Sequence, residues 1–214
     1  MDQARARRAV RRVAAIDAES RSDMGVHYRR QLEYYLVMER GQLTIRDATE
    51  QDAATCAAIY APYVTDTVIT FETEPPTPAE MAARIAQAQR THAWLVAEEH
   101  GRVIGYAYGG PFKARAAYRW SCEVSIYLEW GRRRTGAGRA LYTALLDRLA
   151  QRGFRTVVAG MALPNEASVG LHRAMGFEPV GVYRRIGWKH GAWRDVAWVQ
   201  RSIGPDEDPP AEPR

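Results

Sequence analysis

The sequence predicts an α/β (α+β) protein with a mixed, mainly antiparallel central sheet flanked by helices. Residues 121–128 alternate polar and apolar side chains with a period of two, which indicates a strand. Leu141, Leu145 and Leu149 follow at helical spacing. With 214 residues, of which 46% are hydrophobic and 26% charged, the chain fits one globular domain with appendages.

The first half of the predicted domain contains three strands and two helices. In chain order these are a strand, two helices and two strands, over 43–48, 53–63, 78–90, 94–97 and 103–108. Thr49 and Asp52 form a helix-start signal, and Thr77 before a proline forms a second one. His100-Gly101 predicts a hairpin turn between the last two strands.

The second half repeats the alternation of strands and helices. It contains the strand 121–128, the leucine-striped helix, a strand over 156–159, a helix over 165–175, and strands over 180–184 and 196–203. Gly153 and Gly176 follow the two helices, as expected of glycines that end helices. The architecture that these segments predict is α/β with a mixed, mainly antiparallel sheet.

Three regions differ in composition. We expect a basic extension over 1–41, a domain over 42–204 and a proline-rich, disordered tail over 205–214. The extension has nine arginines and six acidic residues, so it carries +3 of the net charge of +5. The domain is therefore almost neutral, which argues against a nucleic-acid partner.

The arginine cluster of the extension has two readings. It is either a weak electrostatic arm for nucleic acid or, as we favour, a solvated or misassigned leader, with Met24 and Met38 as alternative starts. No apolar run reaches the roughly 18 residues that span a bilayer, so no membrane partner is expected. Without a signal-peptide pattern, the expected location is the cytoplasm.

The two cysteines, Cys56 and Cys122, exclude a disulfide scaffold and a zinc site of cysteine and histidine ligands. No metal is expected. Cys122 alternates to the face of its strand opposite Glu123, so a thiol nucleophile is not expected either.

Residues 133–138, Arg-Arg-Thr-Gly-Ala-Gly, predict an anion site at the start of a helix. Free N–H groups and the helix dipole attract anions there, and Gly136 and Gly138 allow close approach of the backbone. The segment lacks the Lys-Ser/Thr of a phosphate-binding loop and the third glycine of a dinucleotide fingerprint. Taken alone, it fits an anion site or a plain surface turn.

Several separated motifs resemble a known family. Arg133-x-x-Gly136-x-Gly138 followed by Asn165-x-x-Ser168-x-x-x-His172-x-x-x-Gly176-Phe177 resembles the GNAT superfamily of acetyl-CoA-dependent N-acetyltransferases. Further segments resemble the phosphinothricin N-acetyltransferase and methionine sulfone-sulfoximine acetyltransferase family, namely 67–75, 94–98, 110–115, 163–169 and 189–196. The resemblance covers 43–203 and implies a GNAT-like acyl-CoA N-acyltransferase fold.

The resemblance also implies the ligands and a homodimer. It assigns to acetyl-CoA, as co-substrate, Ile126, Tyr127, Leu128, Arg133, Arg134, Thr135, Gly136, Ala137, Gly138, Arg139, Asn165 and Ser168. It assigns to a small amino-acid acceptor Phe71, Lys113, Arg115, Tyr118, Tyr127 and Val196. Trp130-Gly131 stands where relatives often have a His-Arg pair, which leaves the contacts on the adenosine side of the coenzyme open. Ala162 and the long leader leave the choice of acceptor open.

Glu123 is the candidate general base. An α-amino group has a pKa of about 8, and only the free amine attacks a thioester. Glu123 lies on an apolar strand, where burial raises a carboxyl pKa toward that of a useful base. In the resembling family the matching Glu is the proposed base, directly or through water. The alternative is an exposed glutamate in a salt bridge.

His172 is the second candidate catalytic residue. The resemblance places a tyrosine here in many relatives, as proton donor to sulfur, and a histidine near the substrate in the phosphinothricin group. The alternative is a buried histidine that bonds a backbone carbonyl. Asn165 fits either a contact to the pantetheine arm or a helix N-cap, and Ser168 repeats that argument more weakly.

Two cations and a hydroxyl, Lys113, Arg115 and Tyr118, follow a strand that ends at Gly109-Gly110. They suit a small anionic acceptor, because a guanidinium matches carboxylate or phosphinate oxygens, although a solvated basic loop is the alternative. The tryptophans at 188, 193 and 198 fit the core or a dimer face better than ligand stacking.

The sequence therefore predicts an N-acetyltransferase for a small anionic amino acid such as phosphinothricin, methionine sulfone or methionine sulfoximine, acting by direct attack. Two alternatives stay open. One is an acetyltransferase for protein N-termini or polyamines, which Lys113 and Arg115 disfavour. The other is a catalytically silent acyl-CoA-binding regulator, which Glu123 and His172 disfavour.

Overall fold

A computed structural model describes residues 43–132, 135–205, 208 and 210–213. The strands are β1 (Leu43–Asp47), β2 (Ala93–Glu99), β3 (Arg102–Pro111), β4 (Ser121–Leu128), β5 (Thr156–Ala162), β6 (Glu178–Lys189) and β7 (Ala192–Ser202). The α-helices are α1 (Ala53–Thr65), α2 (Pro78–Thr91), α3 (Ala137–Gln151) and α4 (Glu166–Ala174). Short 3₁₀ turns cover Glu50–Asp52 and Ala116–Tyr118.

The seven strands form one sheet in the order β1-β2-β3-β4-β5-β7-β6. β4 and β5 are parallel, and the other neighbouring pairs are antiparallel. The predicted fold class, a mixed and mainly antiparallel sheet flanked by helices, is confirmed. The parallel pair β4–β5 requires a crossover, and α3 supplies it.

The two faces of the sheet bury different side chains. On one face Cys122 and Val124 pack with the leucines of α3 in a single apolar cluster. On the other face Trp94 and Tyr106 pack with α1 and α2. Because side chains alternate along a strand, Glu123 faces the second side, opposite to Cys122.

The predicted helix signals act as expected where they are described. The Thr77 hydroxyl accepts a hydrogen bond from the Glu80 N–H, and the Glu80 carboxylate accepts one from the Thr77 N–H. These reciprocal bonds satisfy donors at the start of α2. Gly153 has a φ of 96° after α3, a conformation that glycine adopts without strain.

The last two strands are longer than predicted. β6 contains Pro179, Gly181 and Gly187, residues that weaken a strand pattern, and the prediction therefore covered only 180–184. In the structure β7 pairs with β6 as far as Lys189, with register shifts at the weak positions. The long hairpin results from pairing between strands, which local propensity does not reveal.

The described tail residues contact the domain, whereas we expected disorder there. The Trp120 indole N–H donates to the Ala211 carbonyl at 2.9 Å, and Arg119 holds both Glu212 carboxylate oxygens at 2.7 Å. These partners are distant in sequence, so composition alone did not indicate them. The extension 1–41 lies outside the described residues. No described helix is long and apolar enough to cross a membrane.

Candidate active site

A cleft opens where β4 and β5 separate. The two strands pair only over Ser121–Glu123 and Thr156–Val158. Beyond Glu123 the β5-facing amides and carbonyls of β4 have no strand partner in the described sheet, so they are available to a ligand. The cleft is lined by Ile69, Val124, Ser125, Ile126, Tyr127, Tyr142, Ala159, Gly160, Met161, Asn165, Ser168 and His172.

Glu123 lies at the point where the strands separate and is half-buried. Burial raises the pKa of its carboxyl group, and the positive charge of Lys113 opposes this rise. Its register partner on β3 is Gly110, and a Cβ built there would meet nothing within 4 Å. Glu123 therefore has the raised pKa that suits a general base, and the glycine opposite it on β3 places no side chain beside it.

Lys113, predicted to bind the acceptor, acts on Glu123 through its positive charge. Its Nζ lies 5.0 Å from the centre of the Phe112 ring. Phe112 in turn packs edge-on against Tyr118, with 5.7 Å between ring centres. The loop after β3 therefore carries a cation and aromatic side chains near the candidate base.

The other residues predicted to bind the acceptor lie on separate elements of the fold. Phe71 is 38% exposed and lies against Gly187 of β6. Arg115 precedes the 3₁₀ turn that contains Tyr118. Val196 of β7 pairs with Ala162 at the end of β5. Their assignment to the acceptor stays a prediction.

His172 is 3% exposed and has hydrogen-bond partners at both ring nitrogens. Nδ1 lies 2.8 Å from the Ser168 carbonyl, which only accepts, so Nδ1 carries the proton. Nε2 then accepts a hydrogen bond from the Tyr142 hydroxyl at 2.8 Å. Burial lowers the pKa of His172, opposed by the Ser168 bond, and the ring is neutral near pH 7. The bond to the Ser168 carbonyl is the one that the buried-histidine alternative predicts, and the catalytic role of His172 stays a prediction.

The start of α3 has the features expected of an anion site. Gly136 precedes the helix with a φ of 86°, and both Gly136 and Arg139 are exposed. The first turn has no acidic side chain, so the positive end of the helix dipole is not neutralised there. Thr135 lies beside it, while the predicted ligands Arg133 and Arg134 lie outside the described residues.

The residues after Gly136 hold the helix against the cleft. Ala137 and Gly138 are buried, and a Cβ at Gly138 would lie 3.5–3.8 Å from side chains of Leu171, Leu128 and Ile126. Tyr127 faces the other side of the sheet and packs edge-on against Tyr60 at 4.7 Å. Because the Tyr127 ring lies on the side of α1, only its backbone can contact a ligand on the side of α3.

Asn165 is the N-cap of α4, which is one of the two roles predicted for it, the other being a contact to the pantetheine arm. Its Oδ1 accepts a hydrogen bond from the Ser168 N–H at 3.2 Å. Both residues also line the cleft, so capping places them beside a ligand there. The sequence did not indicate Tyr142, which shares only helical spacing with the leucine stripe of α3.

The buried Cys122 does not suit a thiol nucleophile. Burial raises the pKa of Cys122 to about 12, so its thiol is protonated near neutrality. Within the described ranges, no group of three or more histidine, cysteine, aspartate or glutamate side chains is placed to hold a metal ion.

Known proteins are similar to this chain in both sequence and fold. A family model described as the acetyltransferase (GNAT) domain matches residues 45–198. Phosphinothricin N-acetyltransferase from Streptomyces viridochromogenes is 43% identical over 176 residues, covering 82% of this chain and 94% of the relative. The L-methionine sulfoximine/L-methionine sulfone acetyltransferase from Pseudomonas paraeruginosa is 34% identical over 172 residues, covering 78% and 98%.

A solved structure agrees with this assignment. The GNAT superfamily phosphinothricin acetyltransferase from Sinorhizobium meliloti, solved in complex with acetyl-CoA, is 39% identical. It has a TM-score of 0.74 and covers 81% of this chain and 94% of that chain. The resemblance inferred from the sequence motifs is confirmed, and the chain belongs to the GNAT acetyltransferase family.

Proposed function

We propose that this chain, an acetyl-CoA-dependent N-acetyltransferase, acts in the cytoplasm on the amino group of a small anionic amino acid. Phosphinothricin, methionine sulfone and methionine sulfoximine are the candidate acceptors. The observation that carries the proposal is the position of Glu123 where β4 and β5 separate. It is half-buried, it lies opposite Gly110, and the charge of Lys113 acts on it. The acceptors named for the two relatives above are the candidate acceptors here.

Acetyl-CoA is the co-substrate and supplies a thioester. In this proposal its diphosphate binds the N–H groups at the start of α3, together with Arg133, Arg134, Thr135, Gly136, Ala137, Gly138 and Arg139. The amide-bearing arm runs along the free edge of β4, past the backbone of 126–128. Asn165 and Ser168 also line this cleft.

Glu123 prepares the acceptor for attack. The carboxylate removes one proton from the ammonium group, and the free amine then attacks the thioester carbonyl. The C–N bond forms, the C–S bond breaks, and the sulfur leaves with the second proton of the nitrogen. Direct transfer needs no protein nucleophile, because holding both reactants together lowers the barrier. Neutral His172 and Tyr142 support the cleft wall.

The cations Lys113 and Arg115 favour an acceptor with an acidic or tetrahedral anionic group. Phe71, Tyr118, Tyr127 and Val196 complete the proposed acceptor pocket. A panel of acceptors with acetyl-CoA, followed by thiol release, tests this assignment. We expect turnover with the three candidate amino acids and little with polyamines or peptides. Coenzyme binding without turnover of any acceptor would favour the regulator, and preferential peptide turnover would favour the N-terminal acetyltransferase.

Lys113→Met is expected to move the acid limb of the kcat–pH profile to higher pH. The charge of Lys113 lowers the pKa of Glu123, so its removal raises that pKa further. The base works only when deprotonated, and the limb follows its pKa. The measurement is kcat between pH 5 and 9 at saturating substrates. Arg115→Met is the matched control and should leave the limb in place; an unmoved or lowered limb for Lys113→Met would contradict this electrostatic role.

A homodimer through β6 is part of the proposal. β6 is an edge strand, and its apolar side chains are exposed, including Val180 (59%), Ile186 (57%) and Trp188 (59%). Such an unprotected apolar edge favours an interface, and Trp188 and Trp193 fit the predicted dimer face. Analytical ultracentrifugation should give a dimer for the wild-type protein and for Trp130→Glu, and a monomer for Trp188→Glu. A monomeric wild-type protein at micromolar concentration would exclude it.

A further inference from the structure

Lys189, the last residue of β6, has an unusual environment for a lysine. It is 5% exposed, although lysine is rarely so buried. Its Nζ donates to the Val64 carbonyl at 2.7 Å and to the Thr70 carbonyl at 2.8 Å. Burial lowers the pKa of Lys189, and the negative charge of Glu72 opposes this. A buried ammonium needs such partners, so the two bonds define its position.

One carbonyl lies at the end of α1, and the other lies in the connection between α1 and α2. Val64 lies in the last turn of α1, where the negative end of the helix dipole favours a cation. Thr70 directly precedes Phe71, and its hydroxyl is 2.5 Å from the Tyr60 hydroxyl. One ammonium group therefore joins both ends of the segment 64–70 to the β6–β7 hairpin.

Phe71 is held from the other side by Gly187, two residues before Lys189. A Cβ built on Gly187 would lie 2.2–2.6 Å from three carbons of the Phe71 ring. The ring thus occupies the space that any other residue at 187 would fill. The bonds of Lys189 and the missing side chain at Gly187 together set where Phe71 lies.

We propose that Lys189 is a positioning residue that holds Phe71 in the acceptor pocket, with Gly187 as the surface on which the ring rests. The role in acceptor binding depends on the proposed function, because that function places Phe71 beside the acceptor. The placement of the ring does not depend on it. Lys189 itself touches neither substrate nor the reacting atoms in this proposal.

The closing experiment uses Lys189→Met, which keeps the length of the side chain and removes its charge and donors. The full chain labelled with 4-fluorophenylalanine contains four labelled residues, Phe71, Phe112, Phe154 and Phe177. We expect Lys189→Met and Gly187→Ala each to shift the ¹⁹F resonance that Phe71→Leu removes, while the Phe154 resonance stays in place. Arg90→Met, the loss of an exposed cation on α2, should move none of them. An unmoved Phe71 resonance in both variants would overturn the proposal.

The kinetic arm separates positioning from general stability. Lys189→Met should raise the acceptor KM at least about tenfold, with the Kd of acetyl-CoA within about twofold of wild type. In a Phe71→Leu background the same change should raise KM by less than about threefold, because the two residues act as one unit. Equal effects in both backgrounds, or an equal loss of acetyl-CoA affinity, would contradict a role through Phe71.

The two arms also distinguish this proposal from the proposed function. If the wild-type protein acetylates none of the acceptors, the proposed function fails while the ¹⁹F result still decides the placement of Phe71. If Lys189→Met does not fold, Gly187→Ala replaces it, because this variant disturbs the same ring with Lys189 intact. The ¹⁹F resonance of Phe71 and the acceptor KM are then measured on Gly187→Ala. Unchanged KM and an unchanged Phe71 resonance in Gly187→Ala would then overturn the proposal.

Discussion

Glu123→Gln is expected to lower kcat about a hundredfold or more while leaving the Kd of acetyl-CoA almost unchanged. Glutamine keeps the size of the side chain but cannot accept the proton of the ammonium group. The half-buried position and the raised pKa of Glu123 make it the described carboxylate suited to this step at the separation of β4 and β5. The measurement is thiol release at saturating substrates, together with calorimetry for coenzyme affinity.

Two companion variants sharpen that result. Glu123→Asp keeps a base but withdraws it by one methylene group, so we expect an intermediate loss. Glu50→Gln removes an exposed carboxylate at the start of the domain and should leave kcat at the wild-type value. If Glu123→Gln turns over as fast as wild type, Glu123 is not the base.

Gly136→Asp is expected to weaken acetyl-CoA binding at least about thirtyfold, which corresponds to about 2 kcal/mol. Gly136 precedes α3 in the left-handed region, which aspartate tolerates better than most residues. An aspartate at an N-cap is also compatible with helix formation. Its negative charge, however, would lie where the diphosphate of the coenzyme is proposed to bind.

Gly136→Asn is the matched control, because asparagine has the same shape and the same tolerance of positive φ without the charge. It should bind acetyl-CoA within about fivefold of wild type, with both variants melting near the wild-type temperature. Equal affinities of the aspartate and asparagine variants would remove the diphosphate from this helix start. Wild-type protein that shows no heat with millimolar acetyl-CoA would remove the coenzyme assignment altogether.

Local patterns in the sequence predicted many of the elements that surround the cleft. Thr77 caps the start of α2, as its place before Pro78 predicted, and Gly153 follows α3 with a positive φ. The period-two alternation of 121–128 placed Glu123 and Cys122 on opposite faces, and Cys122 is indeed in the core on the other side. These features depend on neighbours within a few residues, which a sequence pattern records directly.

Long-range geometry accounts for what the patterns missed. The bond between Tyr142 and His172 joins residues 30 positions apart, and the bond from Lys189 to Val64 joins residues 125 apart. Neither tyrosine nor lysine carries a local signal for such a partner. Gly110 likewise carries no local signal for its place opposite Glu123, because the register between β3 and β4 sets that place.

By itself, the sequence determined the alternation of strands and helices, the faces of β4 and the motifs that identify the GNAT acetyltransferase family. The tertiary structure decided where β4 parts from β5, that Lys113 acts on Glu123, and that both nitrogens of His172 are bonded inside the protein. The physical reason is that periodicity and capping arise from adjacent residues. Burial, pKa and open space arise instead from segments that only folding brings together.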